Sequence, residues 1–299
     1  MADFIVPACV WGTAQLGLAY GIANVSGKPT DRVRDEIVTA ALGSGYSWFD
    51  TAQAYGDSES GLGASFLTSS VVPTVVTKLH PDLDPCDASG IVDAIAGSCR
   101  RLGISSLLGV MLHRAEWLDF WELGLREGLL RAQEMGLVSR LGVSVYSPEE
   151  LDRVLDMPSM TIAQVPLNAW DPRFVNSDVL IRAKEQGVLC FLRSVYLQGL
   201  LLMSPDQVGA RLPVAREMSV VWHDLCETLR CTPQQLAVRY ARRFGCSLVI
   251  GVETITQVHE TVTLMEDPML SEEDFRLVQE RLHPLAKKEI VNPVNWSVK

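Results

Sequence analysis

No apolar run in this chain reaches the roughly eighteen residues a membrane-spanning helix needs, and the longest runs are only strand-length. Positive charge is also scarce. Lys and Arg total 26 against 36 Asp and Glu, leaving a formal charge of −10. Such a surface repels phosphate backbones and argues against a nucleic-acid partner. Asp3 stands where a secretion signal carries positive charge, and no basic segment precedes an apolar one. The seven cysteines (9, 86, 99, 190, 226, 231 and 246) contain no Cys-x-x-Cys pair. An odd number at irregular spacing implies neither a disulfide framework nor a metal site. It suits reduced thiols in a cytoplasmic protein, several of them buried as small hydrophobes. No linker rich in Pro, Gly or Ser divides the chain. Its 299 residues would allow two domains at about 150 each, but continuous patterning predicts one domain over 1–299.

What is present is apolar residue at 47%, enough for a large core. It is organised as a short apolar run, a turn and a longer amphipathic stretch, repeated. The runs are Ala8–Thr13, Tyr46–Thr51, Val72–Leu79, Leu107–His113, Arg140–Val145, Ile162–Leu167, Val188–Arg193 and Ser247–Val252. None alternates simply with polar residues, which suits parallel strands covered on both faces. Helices are predicted between them. Thr30 caps Asp31–Leu42, Ser89 opens Ile91–Leu102, and Glu116–Met135 stops at Gly136. Ser147-Pro148 starts another, Asp178–Gln186 stops at Gly187, and Thr232-Pro233 opens Gln234–Phe244. Met203–Val214 reads as an irregular connection, Ser271–Leu282 as an extra helix, and Glu289–Lys299 as a tail. Eight such units predict a closed parallel (β/α)8 barrel of TIM type with a C-terminal extra helix and tail. An open doubly wound sheet is the alternative.

A barrel of this kind carries its chemistry at the C-terminal ends of its strands. Three strands end on ionisable residues there, namely Asp50, Lys78 and His113, and Tyr55 follows in the loop after Asp50. Each has a plain structural alternative: Asp50 as a helix cap, Lys78 as a solvated strand end, His113 as a satisfied polar residue, Tyr55 as packing. Four on one rim are harder to explain singly, and a buried Lys needs the counter-charge that Asp50 offers.

The stretch Phe49-Asp50-Thr51-Ala52-Gln53-Ala54-Tyr55-Gly56-Asp57-Ser58-Glu59-Ser60-Gly61-Leu62-Gly63 resembles the aldo-keto reductase signature. Lys78 and His113 match the remaining members of that family's catalytic tetrad in order and spacing. Gly142-Val143-Ser144, Gln164 with Asn168, and Gly199-Leu200-Leu201 match its cofactor-side landmarks, so the resemblance runs from about Val10 to Glu260. It implies NADPH- or NADH-dependent reduction of a carbonyl compound. Tyr55 would be the general acid, Lys78 its tuner, Asp50 the anchor and His113 the substrate positioner. Ser144 and Gln164 would hold the nicotinamide carboxamide. Gly12, Thr13, Ser194, Gly199, Gly251, Gln257 and Glu260 would complete the cofactor site.

Several positions depart from that pattern. Val145 replaces the Asn that usually follows Ser144. Arg193 stands where an aromatic ring commonly stacks on the nicotinamide; it either stacks there or meets cofactor phosphates or an acidic substrate. After the eighth strand, Gly251–Thr261 holds no Lys or Arg to grip a 2′-phosphate, and its Glu253 is acidic. That casts doubt on strict NADP preference and leaves NAD or dual use open. Trp11, Tyr20, Trp117 and Trp296 are candidate substrate contacts. The opening Gly12–Gly17 with Tyr20–Asn24 is similar to a bacterial branch associated with carbohydrate metabolism, which hints at a sugar or polyol carbonyl. The start of the first strand within about ten residues of the N-terminus gives no sign of a partner-binding extension. A monomer or small homo-oligomer is expected. Two other functions fit the same residues: a nicotinamide-binding regulatory subunit, and a nonredox sugar-modifying barrel.

Overall fold

The computed structural model describes residues 6–296; Asp3 and the last three residues of the expected tail lie outside them. Eight strands pair in sequence order and close on themselves, so the open-sheet alternative does not apply. They are β1 Cys9–Gly12, β2 Trp48–Asp50, β3 Thr74–Lys78, β4 Leu107–Leu112, β5 Val138–Ser144, β6 Met160–Pro166, β7 Leu189–Arg193 and β8 Ser247–Gly251. All pairs are parallel, and β1 meets β8 in the register Cys9↔Leu248 to Gly12↔Gly251.

The lack of simple alternation in these strands has a direct cause. One face of each packs into the barrel and the other against helices, so both faces are apolar. Val10, Trp48, Val76, Met111, Ile162 and Phe191 form the inner core. Their neighbours Trp11, Phe49, Val75, Val110, Val143 and Leu192 belong to the larger core outside the strands. Because side chains alternate along a strand, two steps beyond an inner-core residue lies the barrel mouth. That parity brings Gly12, Asp50, Lys78, Gln164 and Arg193 to one rim.

The helices follow their sequence signals with instructive exceptions. Thr30 accepts from the Val33 amide and Ser147 from the Glu150 amide, as their cap positions predict. The helix Ala88–Leu102 is capped by Asp87, not opened at Ser89; the Asp87 carboxylate takes the Gly90 amide at 2.9 Å. Glu116–Met135 is not one helix. A 3-10 segment, Ala115–Leu123, breaks at Gly124 (φ 130°) before Leu125–Glu134 begins. Gly124 packs on the Cys86 carbonyl so closely that a Cβ there would come within 2.3 Å. The connection after β7 is more regular than expected. Ser204 and Gln207 form a capping box that opens Pro205–Arg211, and Arg216–Thr228 follows. Ile255–Glu266 follows β8, and Glu272–Leu282 is the extra C-terminal helix. Among the described residues no helix is long and apolar enough to cross a membrane.

Candidate active site

At the rim, the Lys78 ammonium donates to both Asp50 oxygens, at 2.8 and 2.9 Å, and to the Thr51 carbonyl at 3.0 Å. Those three acceptors match its three N–H donors, so Lys78 acts on neighbours through charge alone. The side chains of Lys78 and Asp50 are 1% and 4% exposed. Burial pulls the Lys78 pKa below the usual lysine range, while Asp50 opposes that pull. Gln164 adds a further donor to Asp50 Oδ1 at 2.8 Å.

The Lys78 Nζ stands 5.0 Å from the centre of the Tyr55 ring, and the His113 ring meets the same ring edge-on at 6.0 Å. Burial raises the Tyr55 pKa, the Asp50 charge raises it further, and Arg193 draws it back. Burial, then the charges of Lys78 and Arg193, push the His113 pKa down to about 4. The imidazole is neutral near pH 7, and its Nδ1 is buried without a hydrogen-bond partner among the described residues.

The other signature residues build the platform beneath. Thr13, through both its amide and its hydroxyl, binds the Asp50 carbonyl at 3.0 and 2.9 Å. Ser58 donates to the Thr13 hydroxyl at 2.8 Å and accepts from Thr51 at 3.1 Å. Glu59 is 3% exposed, takes the Thr77 hydroxyl at 2.6 Å and pairs with Arg101. Gly17 lies against this platform: a Cβ there would come within 1.9 Å of the Tyr55 carbonyl. Sequence singled out Gly17 only as the end of the stretch Gly12–Gly17, and its role emerges from this close approach.

A cavity of about 250 Å³ opens beside Tyr55. Its walls include the expected Gly12, Thr13, Tyr20, Gln164, Arg193, Ser194, Gly199, Gly251 and Gln257. Lys78 and His113 touch Tyr55 but lie outside those walls. Five expected contacts are not brought to the cavity. Trp11 faces outward from β1, is 2% exposed and donates to the Tyr46 carbonyl at 2.8 Å. Trp117, within the 3-10 segment, is buried in the core. Trp296 packs on that core and donates to the Ile290 carbonyl at 3.1 Å. Ser144 is 3% exposed at the end of β5, and Glu260 is turned to solvent while its neighbour Thr261 lines the wall. The structure adds Gln15, Asn24, Tyr196, Gln198 and Gln234 to the walls. Of these, Gln15 and Asn24 lay in stretches singled out by sequence.

Two features suit the cavity to a long polar ligand. Ser194, Leu197, Gln198 and Gly199 all have positive φ, between 47° and 89°; three are not glycine, and such strain collects at ligand sites. The Tyr196 hydroxyl is buried in the same wall without a partner among the described residues. At the far end, Glu253 accepts from Asn24 at 3.1 Å, and Gln257 takes the Glu253 amide at 2.6 Å. Burial raises the Glu253 pKa.

The profile of the Aldo/keto reductase family matches residues 9–282. The chain belongs to the aldo/keto reductase family. It is an oxidoreductase by that membership, and the family works with NAD(P)H. An aldo-keto reductase of Mycolicibacterium vanbaalenii is 29% identical over 229 residues, 73% of each chain. The 2,5-diketo-D-gluconic acid reductase B of a Corynebacterium is 33% identical over 145 residues, 46% of this chain and 50% of that one. Among solved structures, aldo-keto reductase AKR11C1 of Bacillus halodurans in its holo form superposes with a TM-score of 0.76 at 18% identity. That match covers 99% of this chain and 97% of the other. Glycerol dehydrogenase AKR11B4 of Gluconobacter oxydans gives 0.74 at 20% identity, over 97% and 94%. At such identities these two support the aldo/keto reductase fold.

Proposed function

We propose that this aldo/keto reductase, as one barrel over residues 1–299, reduces an aldehyde or ketone of sugar or polyol type to the alcohol. The observation that carries this reading is the contact of Tyr55 with a charge-clamped Lys78 and a neutral His113 beside an open cavity. A reduced nicotinamide bound there supplies the hydride. Tyr55 gives its proton to the carbonyl oxygen, and its raised pKa keeps that proton on the phenol until the oxygen gains charge. Lys78, fixed by Asp50, steadies the negative charge left on the phenolate. His113 remains neutral and offers one N–H to orient the carbonyl oxygen.

The cavity residues fit a nicotinamide dinucleotide through the strained Ser194–Gly199 wall and the orphaned Tyr196 hydroxyl. Gln164 would hold the carboxamide, and the start of the helix Ile255–Glu266 would take the pyrophosphate. Glu253 favours NADH, because its carboxylate would accept from a ribose hydroxyl and would repel a 2′-phosphate. The 2,5-diketo-D-gluconic acid reductase relative supports a sugar-type substrate.

The test follows loss of NADH and NADPH absorbance with a panel of aldehydes and ketones. Tyr55→Phe should abolish turnover of each active carbonyl while NADH still binds. Unchanged turnover would remove Tyr55 from the reaction. Absence of nicotinamide binding would overturn the whole reading.

A further inference from the structure

Three charged residues line the cavity: Asp50, Glu253 and Arg193. Asp50 is neutralised by Lys78, and Glu253 stands at the far end beside Asn24. Arg193 is thus the one cation in the wall, and no carboxylate pairs with it among the described residues. That is unusual in a chain with ten more acidic than basic side chains, where most other Arg residues of the described chain find an acid.

The guanidinium is fixed rather than free. One N–H group meets the Val145 carbonyl at 3.1 Å, another the Ser194 hydroxyl at 3.3 Å. Its carbon sits 4.4 Å from the centre of the Tyr146 ring, so one face is covered. The remaining N–H groups find no acceptor among the described residues, and they form a rigid edge suited to a planar anion.

The direction of the side chain identifies which anion. Arg193 ends β7 yet binds the carbonyl that follows β5, so it reaches across β6 and away from β8 and Glu253. Neighbouring strands lie about 4.8 Å apart, which separates it from the adenosine end by more than one strand spacing. Its charge is felt instead by Tyr55 and His113. From this geometry we infer that Arg193 is a specificity residue that binds a carboxylate on the carbonyl substrate. This rests on the reductase reading and narrows it to aldehyde or keto acids.

The experiment compares succinic semialdehyde with its methyl ester, at fixed NADH or NADPH, as a ratio of kcat/KM values. The wild-type chain should favour the acid by about tenfold or more, and salt should reduce that preference. Arg193→Met should collapse the ratio, chiefly through KM for the acid, and Arg193→Lys should retain part of it. Taking a ratio cancels any general loss that the substitutions cause. Equal use of acid and ester by the wild type would overturn the proposal, even if no variant folds. So would a ratio unchanged in Arg193→Met, or one unchanged while NADH binding weakens, which would give Arg193 to the cofactor. Failure of both carbonyls to consume NADH or NADPH would instead count against the reductase reading. Calorimetric binding of benzoate against benzamide then decides alone: an Arg193-dependent preference for benzoate upholds the carboxylate site, and its absence overturns it.

Discussion

Replacing Asp50 by Asn removes the sole carboxylate among the described residues that touches the buried Lys78 ammonium. Both side chains are nearly inaccessible, so solvent cannot compensate, and stripping one partner from such a pair costs about 3–5 kcal/mol. The amide keeps one acceptor oxygen, but its nitrogen faces the ammonium or the Gln164 donor. Lys78 already has a pKa below the ordinary value, with burial opposed chiefly by Asp50. Without that opposition its folded-state pKa falls further below the unfolded value of about 10.4. Between those two values the unfolded chain holds more protons, so stability of the variant rises with pH relative to wild type. Urea unfolding at pH 7 and pH 9 measures this. The deficit should be about 3–5 kcal/mol at the lower pH and shrink by up to about 1.4 kcal/mol per pH unit. The double variant Asp50→Asn with Lys78→Met should recover most of the loss, since neither charge remains. A deficit below about 1 kcal/mol at pH 7, or one independent of pH, would refute the account of the clamp.

Three further outcomes are expected. His113 has a folded pKa of about 4 against about 6.5 unfolded, so its neutral form favours the fold and wild type loses stability as pH falls through that window. From pH 7 to pH 5 the loss should exceed that of His113→Gln by about 2 kcal/mol in urea titrations; equal losses would contradict the buried neutral imidazole. Gly17→Ala should cost about 1–3 kcal/mol and lower kcat by up to about a hundredfold, because the methyl group displaces the Tyr55 backbone. Steady-state kinetics would show otherwise if kcat held. Fluorescence titration should find NADH bound about tenfold tighter than NADPH, and Glu253→Ser should narrow that gap; tenfold tighter NADPH binding in wild type would dismiss the role given to Glu253.

Much of the barrel was legible because each strand is a short apolar run followed by a turn and an amphipathic helix. The eight runs match the eight strands with no end displaced by more than two residues. The helix break at Gly124 was not legible, since it depends on the Cys86 carbonyl, distant in sequence. By contrast, the helix at Pro205 announced itself in Ser204 and Gln207, a signal passed over. The rim cluster was visible as strand-terminal ionisable residues. The substrate contacts were not, because an aromatic side chain is an equally good core residue. Trp11 could have been placed by parity: it neighbours Gly12, which faces the mouth, so it must face the helices. Ser144 and Glu260 were carried over by motif, and burial of one and exposure of the other keep them from the cavity wall. That Lys78 spends all its donors on Asp50 and Thr51 is a matter of distances that no sequence spacing conveys.

Closure of β1 onto β8 ties the beginning of this chain to a segment nearly its whole length away. On a ribosome adding about 5–20 residues per second, roughly 12–50 s separate the emergence of the two strands. For that interval β1 has no partner on one side, and its backbone donors and acceptors face whatever is near. Gly12 can neither line the mouth nor meet Gly251 until the last strand arrives. The candidate site is therefore among the last things the nascent chain acquires, and a message truncated before β8 would yield an unclosed sheet with two sticky edges rather than a weakened barrel.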